Sequence, residues 1–176
     1  MNIRPDGRWG GRLTSRPLLG GDATVDALSD AERDVLAGVW LARSATEYRV
    51  ATSFAVIRDS LRALGADSSL VDLAERSIDD EHRHAEICRV TASSYAAREL
   101  EPPAPLPFSH PKHERASEHV RHALWVVGQC CFNETLASGF LEAACGAASG
   151  PMASRALREL LSDEIDHARL GWAFLA

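Results

Sequence analysis

Asp80-Glu81-His82-Arg83-His84-Ala85 occurs a second time in the chain, in the related form Asp163-Glu164-Ile165-Asp166-His167-Ala168. Both copies follow the pattern Asp-Glu-x-x-His-Ala, with a glutamate and a histidine three residues apart. On an α-helix this spacing places the two side chains on one face, one turn apart. A single Glu-x-x-His is common on solvated helix faces, but two copies with the same flanking residues indicate one shared site.

The composition predicts an all-α protein. Aromatic residues make up 6% of the 176 residues, and alternating runs of β-branched residues are rare. A chain of this length forms one domain with a sizeable core. The net charge of −6 argues against nucleic acid or an anionic membrane as partner. No apolar run has the length of a signal peptide or a membrane helix, so we expect a cytoplasmic protein.

The cysteines do not predict a metal site of their own. They lack the Cys-x-x-Cys spacing of zinc ribbons and rubredoxin-type iron sites. Small apolar filler residues in a reducing compartment are a simpler interpretation than a redox role. The four residues are Cys88, Cys130, Cys131 and Cys145.

The first long helix has clear start and stop signals. Residues 1–28 are rich in glycine and contain two prolines, which predicts an irregular N-terminal arm before a helical bundle over 29–176. Ser29 and Glu32 form a capping box where the helix begins, and Gly65 is typical of a helix end. Glu47 lies in the middle of the apolar stripe between them. A buried carboxylate costs several kcal/mol unless it is paired or bound to a metal.

The second helix is predicted from about Asp67 to Leu100, with the first copy of the motif on its inner face. Five prolines follow between positions 101 and 111, and they exclude both helix and sheet. About 15 extended residues can span the roughly 45 Å length of a 30-residue helix. We therefore predict a long crossover, which lets the third helix run parallel to the second.

The third helix is predicted to begin between Lys112 and Ser117. Its apolar face includes Val120 and Leu124, with Glu134 in the middle of that face. Glu142 is the alternative acid, but it lies about 80° around the helix from Glu134 and two turns further on. Gly150-Pro151 ends this helix and starts the fourth, which carries the second motif. The apolar stretch 171–176 that follows is consistent with a truncation or an intersubunit contact.

The inward-facing acids and histidines follow the order Glu, Glu-x-x-His, Glu, Glu-x-x-His. Glu47 precedes Glu81 by 34 residues, and Glu134 precedes Glu164 by 30 residues. Each interval is half a helix, a turn and half a helix, so the side chains should meet at one height. This pattern resembles the ferritin-like superfamily of carboxylate-bridged di-iron proteins, which includes bacterioferritin, rubrerythrin and di-iron oxygenases. The resemblance covers roughly 29–176 and implies a four-helix bundle with one long crossover between helices 2 and 3.

The resemblance implies two Fe ions, with Mn or a mixed pair as alternatives. Four carboxylates against two divalent ions form a neutral set, which suits a buried site, and oxygen and imidazole ligands suit Fe or Mn. The implied ligands are Glu47 and His84 on one ion, Glu134 and His167 on the other, and Glu81 and Glu164 bridging. Five histidines do not fit this face: His82, His110, His113, His119 and His122. A separate surface site formed by His119 and His122 stays an alternative.

Asp80 and Asp163 directly precede the two motif glutamates. A metal-bound imidazole donates its free N–H to a further acceptor, and in some oxygenase members of the superfamily such aspartates hold the histidines of the opposite motif. An inward-turned imidazole points its free nitrogen toward the facing helix. We therefore expect Asp80 near His167 and Asp163 near His84, within about 3.2 Å.

For function, the resemblance implies an oxidoreductase that uses O2 or peroxide and an external electron donor. We expect O2 activation to oxidise a small organic substrate. Small residues near the ligands would leave room for it, although close helix packing explains them equally well: Ala51, Ser77, Ala85, Ser138, Ala168 and Gly171.

Two other functions are compatible with the sequence. One is a ferroxidase or a peroxide-scavenging rubrerythrin-like protein, although the paired Cys-x-x-Cys of full rubrerythrin is missing. The other is an interaction module without redox turnover. For the oxidoreductase we expect a homo-oligomer, with a dimer favoured.

Overall fold

The computed structural model describes residues 22–104 and 106–176, and within them the chain is all-α, as predicted. These residues form no strand. The helical segments are α1 (Ala23–Asp26), α2 (Asp30–Leu64), α3 (Ser68–Ala96), α4 (Glu118–Val126), the π-helix π1 (Val127–Asn133), α5 (Glu134–Ala147) and α6 (Pro151–Leu175). The predicted irregular arm falls outside the described residues up to position 21. In the remainder of the arm, α1 is a single helical turn that Asp22 caps.

The ends of α2 and α6 follow the sequence signals. The Ser29 backbone N–H donates to the Glu32 carboxylate at 2.8 Å, and the Ser29 side chain accepts from the Glu32 N–H in return. Gly65 ends α2 in the left-handed conformation, with φ of 66°. Pro151 occupies the first turn of α6, where its missing N–H costs no hydrogen bond.

The second predicted helix, α3, ends at Ala96 instead of near Leu100. Ala97 adopts a left-handed conformation with φ of 52°, and the Arg98 N–H donates to the Ser93 carbonyl at 3.2 Å. These two features form a helix-ending turn without glycine. A non-glycine residue in this conformation has no reliable sequence signal, so the predicted end of the helix lies beyond the observed one.

The third predicted helix is interrupted by π1, and this changes which residues face inward. We expected Val120 and Leu124 on the buried face, but they are 47% and 40% exposed. Val126 and Cys130 are buried instead. A π-helical turn contains more residues than an α-turn. Positions before π1 are therefore rotated relative to a 3.6-residue period counted back from Glu134.

The helices enclose two apolar clusters with a polar layer between them. In the helix packing, α2 contacts α3, α5 contacts α6, α3 contacts α6 and α2 contacts α4. Trp40 and Leu160 belong to one cluster, and Phe54 and Leu170 to the other. Full burial of such a side chain stabilises the fold by about 1.5–3 kcal/mol. Within the described ranges, no helix has the length and apolarity that crossing a membrane requires.

Candidate metal centre

The six ligand candidates come together in the polar layer, where all of them are buried. Their ligand atoms form two groups, and within each group all of these atoms lie within 4.8 Å of one another. One group is Glu47, Glu81, His84 and Glu164, and the other is Glu81, Glu134, Glu164 and His167. Glu81 and Glu164 belong to both groups. These buried carboxylates and imidazoles can hold a metal ion.

Both histidines direct Nδ1 toward the two shared glutamates. His84 Nδ1 lies 3.5 Å from Glu81 Oε2 and 3.7 Å from Glu164 Oε1. His167 Nδ1 lies 3.1 Å from Glu81 Oε1 and 3.3 Å from Glu164 Oε2. In both rings Nε2 therefore points away from the centre, where a hydrogen-bond acceptor can fix the orientation of the ring.

The aspartates cross between α3 and α6 as expected. His84 Nε2 lies 3.1 Å from Asp163 Oδ2, within hydrogen-bond distance. His167 Nε2 lies 3.6 Å from Asp80 Oδ2, which exceeds the 3.2 Å that we expected. The two pairs are therefore unequal, and His84 is held more closely.

Arg83 is a contributor that the sequence analysis did not single out. Its guanidinium donates a hydrogen bond to Asp163 and lies 3.7 Å from Asp80 Oδ1 and 3.6 Å from Glu159 Oε2. Arg83 thus places a cation between the two aspartates that face the histidines. Its position inside the first motif, next to His84, was the available signal.

The π-helix supplies a second contact that was missed. The Gln129 side-chain amide donates to Glu134 Oε1, and Gln129 Oε1 accepts from the Ser53 hydroxyl at 2.8 Å. In an α-helix, residues five apart are about 140° apart around the axis. In a π-helix, the same spacing brings them close to one face. This local geometry therefore places Gln129 against Glu134.

The buried acids have opposing pKa shifts. Burial, reinforced by the negative charge of Glu81, raises the pKa of Glu47 to about 8, although Arg43 lies 2.7 Å from its carboxylate. Burial also raises the pKa of Glu134 well above its usual value. For Glu164, burial is outweighed by hydrogen bonds from His167 and Glu134, which lower its pKa to about 2. Such divergent environments are typical of functional sites.

The imidazoles hold their protons strongly in this anionic cluster. Burial alone would lower the pKa of His84, but its hydrogen bond to Asp163 and the negative charges of Glu81 and Glu164 outweigh burial and raise the pKa to about 10. The pKa of His167 is raised well above its usual value by Asp80, Glu164 and Glu81. Positive charge is therefore favoured at the centre, and a metal cation could supply it in place of the protons.

Several buried ligand atoms fit a metal ion. Within 22–104 and 106–176, neither carboxylate oxygen of Glu81 nor Nδ1 of His84 has a hydrogen-bond partner. A buried polar atom without a partner costs about 1–3 kcal/mol, and more when it is charged. A divalent ion satisfies such atoms, and oxygen with imidazole nitrogen is a donor set that suits Fe or Mn.

The rival residues lie elsewhere. Glu142 is exposed, as are His82 and His119. His122 Nδ1 lies 2.9 Å from the Ser60 hydroxyl, and its ring packs edge-on against Trp125. The four cysteines, all within the described part of the chain, are free thiols.

A cavity of about 1100 Å³ adjoins the centre, with Glu47, Glu134 and Glu164 in its wall. None of the six small residues that were expected to leave room for a substrate lines it. Gly171 shows why: a Cβ there would lie 2.6 Å from the Cys130 carbonyl carbon, so this glycine allows α6 to approach π1. The open space lies along α2 and α5 instead.

Comparisons of the chain with protein-family models, curated proteins and solved structures found no match. The fold and the cluster alone therefore define its class: an all-α protein with a buried carboxylate and imidazole site that can hold a metal ion.

Proposed function

We propose that the chain is a ferritin-like four-helix bundle. Its four long elements are α2, α3, the continuous run from α4 to α5, and α6. The contacts between them connect the four elements in a ring. In this ring, α3 and the run from α4 to α5 are not neighbours but lie opposite each other. Residues 97–117 connect these two elements, as a long crossover does. The resemblance described for the sequence motifs is the second support for this fold.

We further propose that the site is a carboxylate-bridged di-iron centre, with Mn or a mixed pair as alternative metals, that activates O2 to oxidise a small organic substrate. One observation carries this proposal. The two ligand groups share Glu81 and Glu164 and are otherwise completed by a different Glu and His each. Two shared carboxylates between two such groups are the arrangement that bridges a pair of ions.

In this proposal the metal pair supplies O2 activation, and the protein positions its ligands. Asp163 orients His84 through the contact at 3.1 Å, and Gln129 orients Glu134. Burial keeps bulk water from the ligands. The adjoining cavity gives an organic molecule access to the Glu47 and Glu134 side of the centre, and this favours substrate oxidation over iron storage.

Iron oxidation in the absence of an organic substrate separates this function from a ferroxidase. The protein, loaded anaerobically with ferrous iron, is mixed with further ferrous iron and O2, and ferric absorbance is followed. We expect oxidation to stop near two iron ions per chain, the number of ligand groups. Continued turnover of added iron would favour the ferroxidase alternative.

A further inference from the structure

The cavity beside the centre is long and mostly apolar. Leu36 and Ser53 both line it and are 17 residues apart on α2. At 1.5 Å per residue the cavity therefore follows α2 for about 26 Å. Trp40 and Leu157 contribute apolar wall at the α1 end. A space of this shape fits an extended chain better than a compact ring.

The mouth of the cavity is also apolar. Val39, Leu136 and Phe140 line it and are 60%, 72% and 63% exposed, respectively. Exposed large apolar side chains around a concavity are typical of ligand-binding sites. An apolar molecule would remove them from water on entry.

The charged groups of the wall favour an anion. Three of them are the acids Glu47, Glu134 and Glu164, which are candidate metal ligands, so a bound metal ion would neutralise their negative charge. The remaining charged side chains are Arg43 and Arg49, and both are cations. Arg43 is paired with Glu47 and lies over the Phe140 ring. Arg49 is exposed, so it is available at the solvent side.

We propose that this cavity binds an elongated apolar molecule with one anionic end group, in the manner of a long-chain carboxylate. The anionic group lies beside Arg49, and the chain passes the centre toward Leu36. Glu47 and Arg49 both line the cavity but lie about 200° apart around α2, so the anionic group stays at the solvent side and the apolar chain reaches the metal ligands. This inference rests on the proposed function for its reaction, but the binding itself does not require turnover.

Isothermal titration calorimetry with dodecanoate, on the metal-free and the anaerobically iron-loaded protein, tests the proposal. We expect dodecanoate to bind both forms and butanoate to bind neither measurably, because each buried methylene changes Kd by about fourfold. Dodecylamine, which matches the chain length but has the opposite charge, should bind at least about tenfold more weakly. Equal affinity for the amine and the acid would overturn the anionic part of the proposal.

Two pairs of variants locate the binding. Ala137 lines the cavity, whereas Ala143 lies on the exposed side of the same helix. Ala137→Phe should therefore weaken dodecanoate binding by about tenfold or more, since it fills the space, while Ala143→Phe should not. Arg49→Gln should weaken it by about three- to fivefold, and Arg62→Gln, elsewhere on α2, should not. Equal affinities within both pairs would show that dodecanoate binds outside the cavity and would overturn the proposal.

Metal content measured on the same samples separates this inference from the proposed function. Two bound ions with no dodecanoate binding would refute the inference and leave the metal centre standing. Dodecanoate binding that Ala137→Phe abolishes, in a protein that binds no metal, would refute the di-iron function and support the cavity assignment.

Discussion

Asp163 is the clearest example of a residue that orients a candidate metal ligand, because it contacts His84. It accepts a hydrogen bond from His84 Nε2 at 3.1 Å, whereas Asp80 lies 3.6 Å from His167. We expect Asp163→Ala to weaken metal binding by about 10- to 100-fold and Asp80→Ala to weaken it less. Asp79→Ala, at an exposed neighbouring position, is the control. Competition with a chromophoric chelator measures the affinities, and equal losses for Asp163 and Asp79 would contradict the assignment.

Arg83 should matter because it holds Asp163. Its guanidinium bonds to Asp163 while about 42% of its side chain is exposed. Arg83→Gln should therefore lower metal affinity about tenfold with little effect on unfolding. Arg76→Gln, an exposed arginine on the same helix, should leave the affinity unchanged. The same chelator competition decides this, and a loss of stability without a loss of affinity would assign Arg83 a purely structural role.

The shifted pKa values predict opposite pH dependences for the metal-free and metal-loaded proteins. The pKa of Glu47 rises from 4.5 to about 8, and that of His84 from 6.5 to about 10. Both groups bind their protons more tightly in the folded state, so their contribution is present below the unfolded values and is lost as pH rises through the folded ones. The metal-free protein should therefore lose stability as pH rises from about 4.5 to about 10, most steeply between about 6.5 and 8, where both groups contribute.

Metal binding should reverse this trend, because the ligands must lose their protons to bind a cation. The stabilisation that Mn²⁺ adds should therefore increase over the same pH range. Urea denaturation midpoints with chelator and with Mn²⁺ measure both trends. A metal-free protein whose stability rises toward alkaline pH would contradict the electrostatic description of the centre.

Sequence patterns identified the six ligand candidates, which cluster in the structure, but not Arg83 and Gln129, which contact the residues around them. Glu47 and Glu134 could be selected because each is an acid inside an apolar helical stripe, and such placement is costly without a partner. Arg83 and Gln129 are ordinary polar residues by any sequence pattern. Their roles depend on which rotamer reaches across to a neighbouring side chain, and this is decided by tertiary packing.

At the scale of helices, the contact between α6 and π1 depends on Gly171. A Cβ at this position would lie 2.6 Å from the Cys130 carbonyl carbon, which is backbone and cannot move aside cheaply. Gly171→Ala should destabilise the protein by about 1–3 kcal/mol, despite alanine's higher helix propensity.

Gly139 on α5 provides the control, because a Cβ there would meet nothing within 4 Å. Gly139→Ala should therefore stabilise by about 0.5–1 kcal/mol. Thermal unfolding of both variants tests the contact, and a neutral or stabilising Gly171→Ala would contradict it.

Helix ends with strong local signals were predictable, whereas the π-helix was not. Ser29, Gly65 and Pro151 mark their helix boundaries through capping chemistry that acts over a few residues. The π1 segment carries no comparable signal, because an extra residue in a helical turn is stabilised by contacts with other helices. A 3.6-residue period therefore predicts the wrong face for Val120 and Leu124, the apolar positions before π1.

For the whole molecule, assembly size distinguishes the proposed enzyme from an iron store. We expect a small homo-oligomer, with a dimer favoured, since an oxygenase needs open access to its cavity and no storage interior. Size-exclusion chromatography with light scattering measures this at several protein concentrations. A large closed shell, with many chains around a mineral-filled interior, would favour the ferroxidase alternative.

The most direct test of the central claim is the number of metal ions bound per chain after anaerobic loading with ferrous iron and desalting. The two ligand groups predict two ions. Glu81→Gln should lose both because Glu81 belongs to both groups, whereas Glu47→Gln should retain the ion of the other group. The exposed Glu142→Gln should keep both ions. Fewer than about one ion per chain in the unmodified protein would contradict the presence of a di-metal centre.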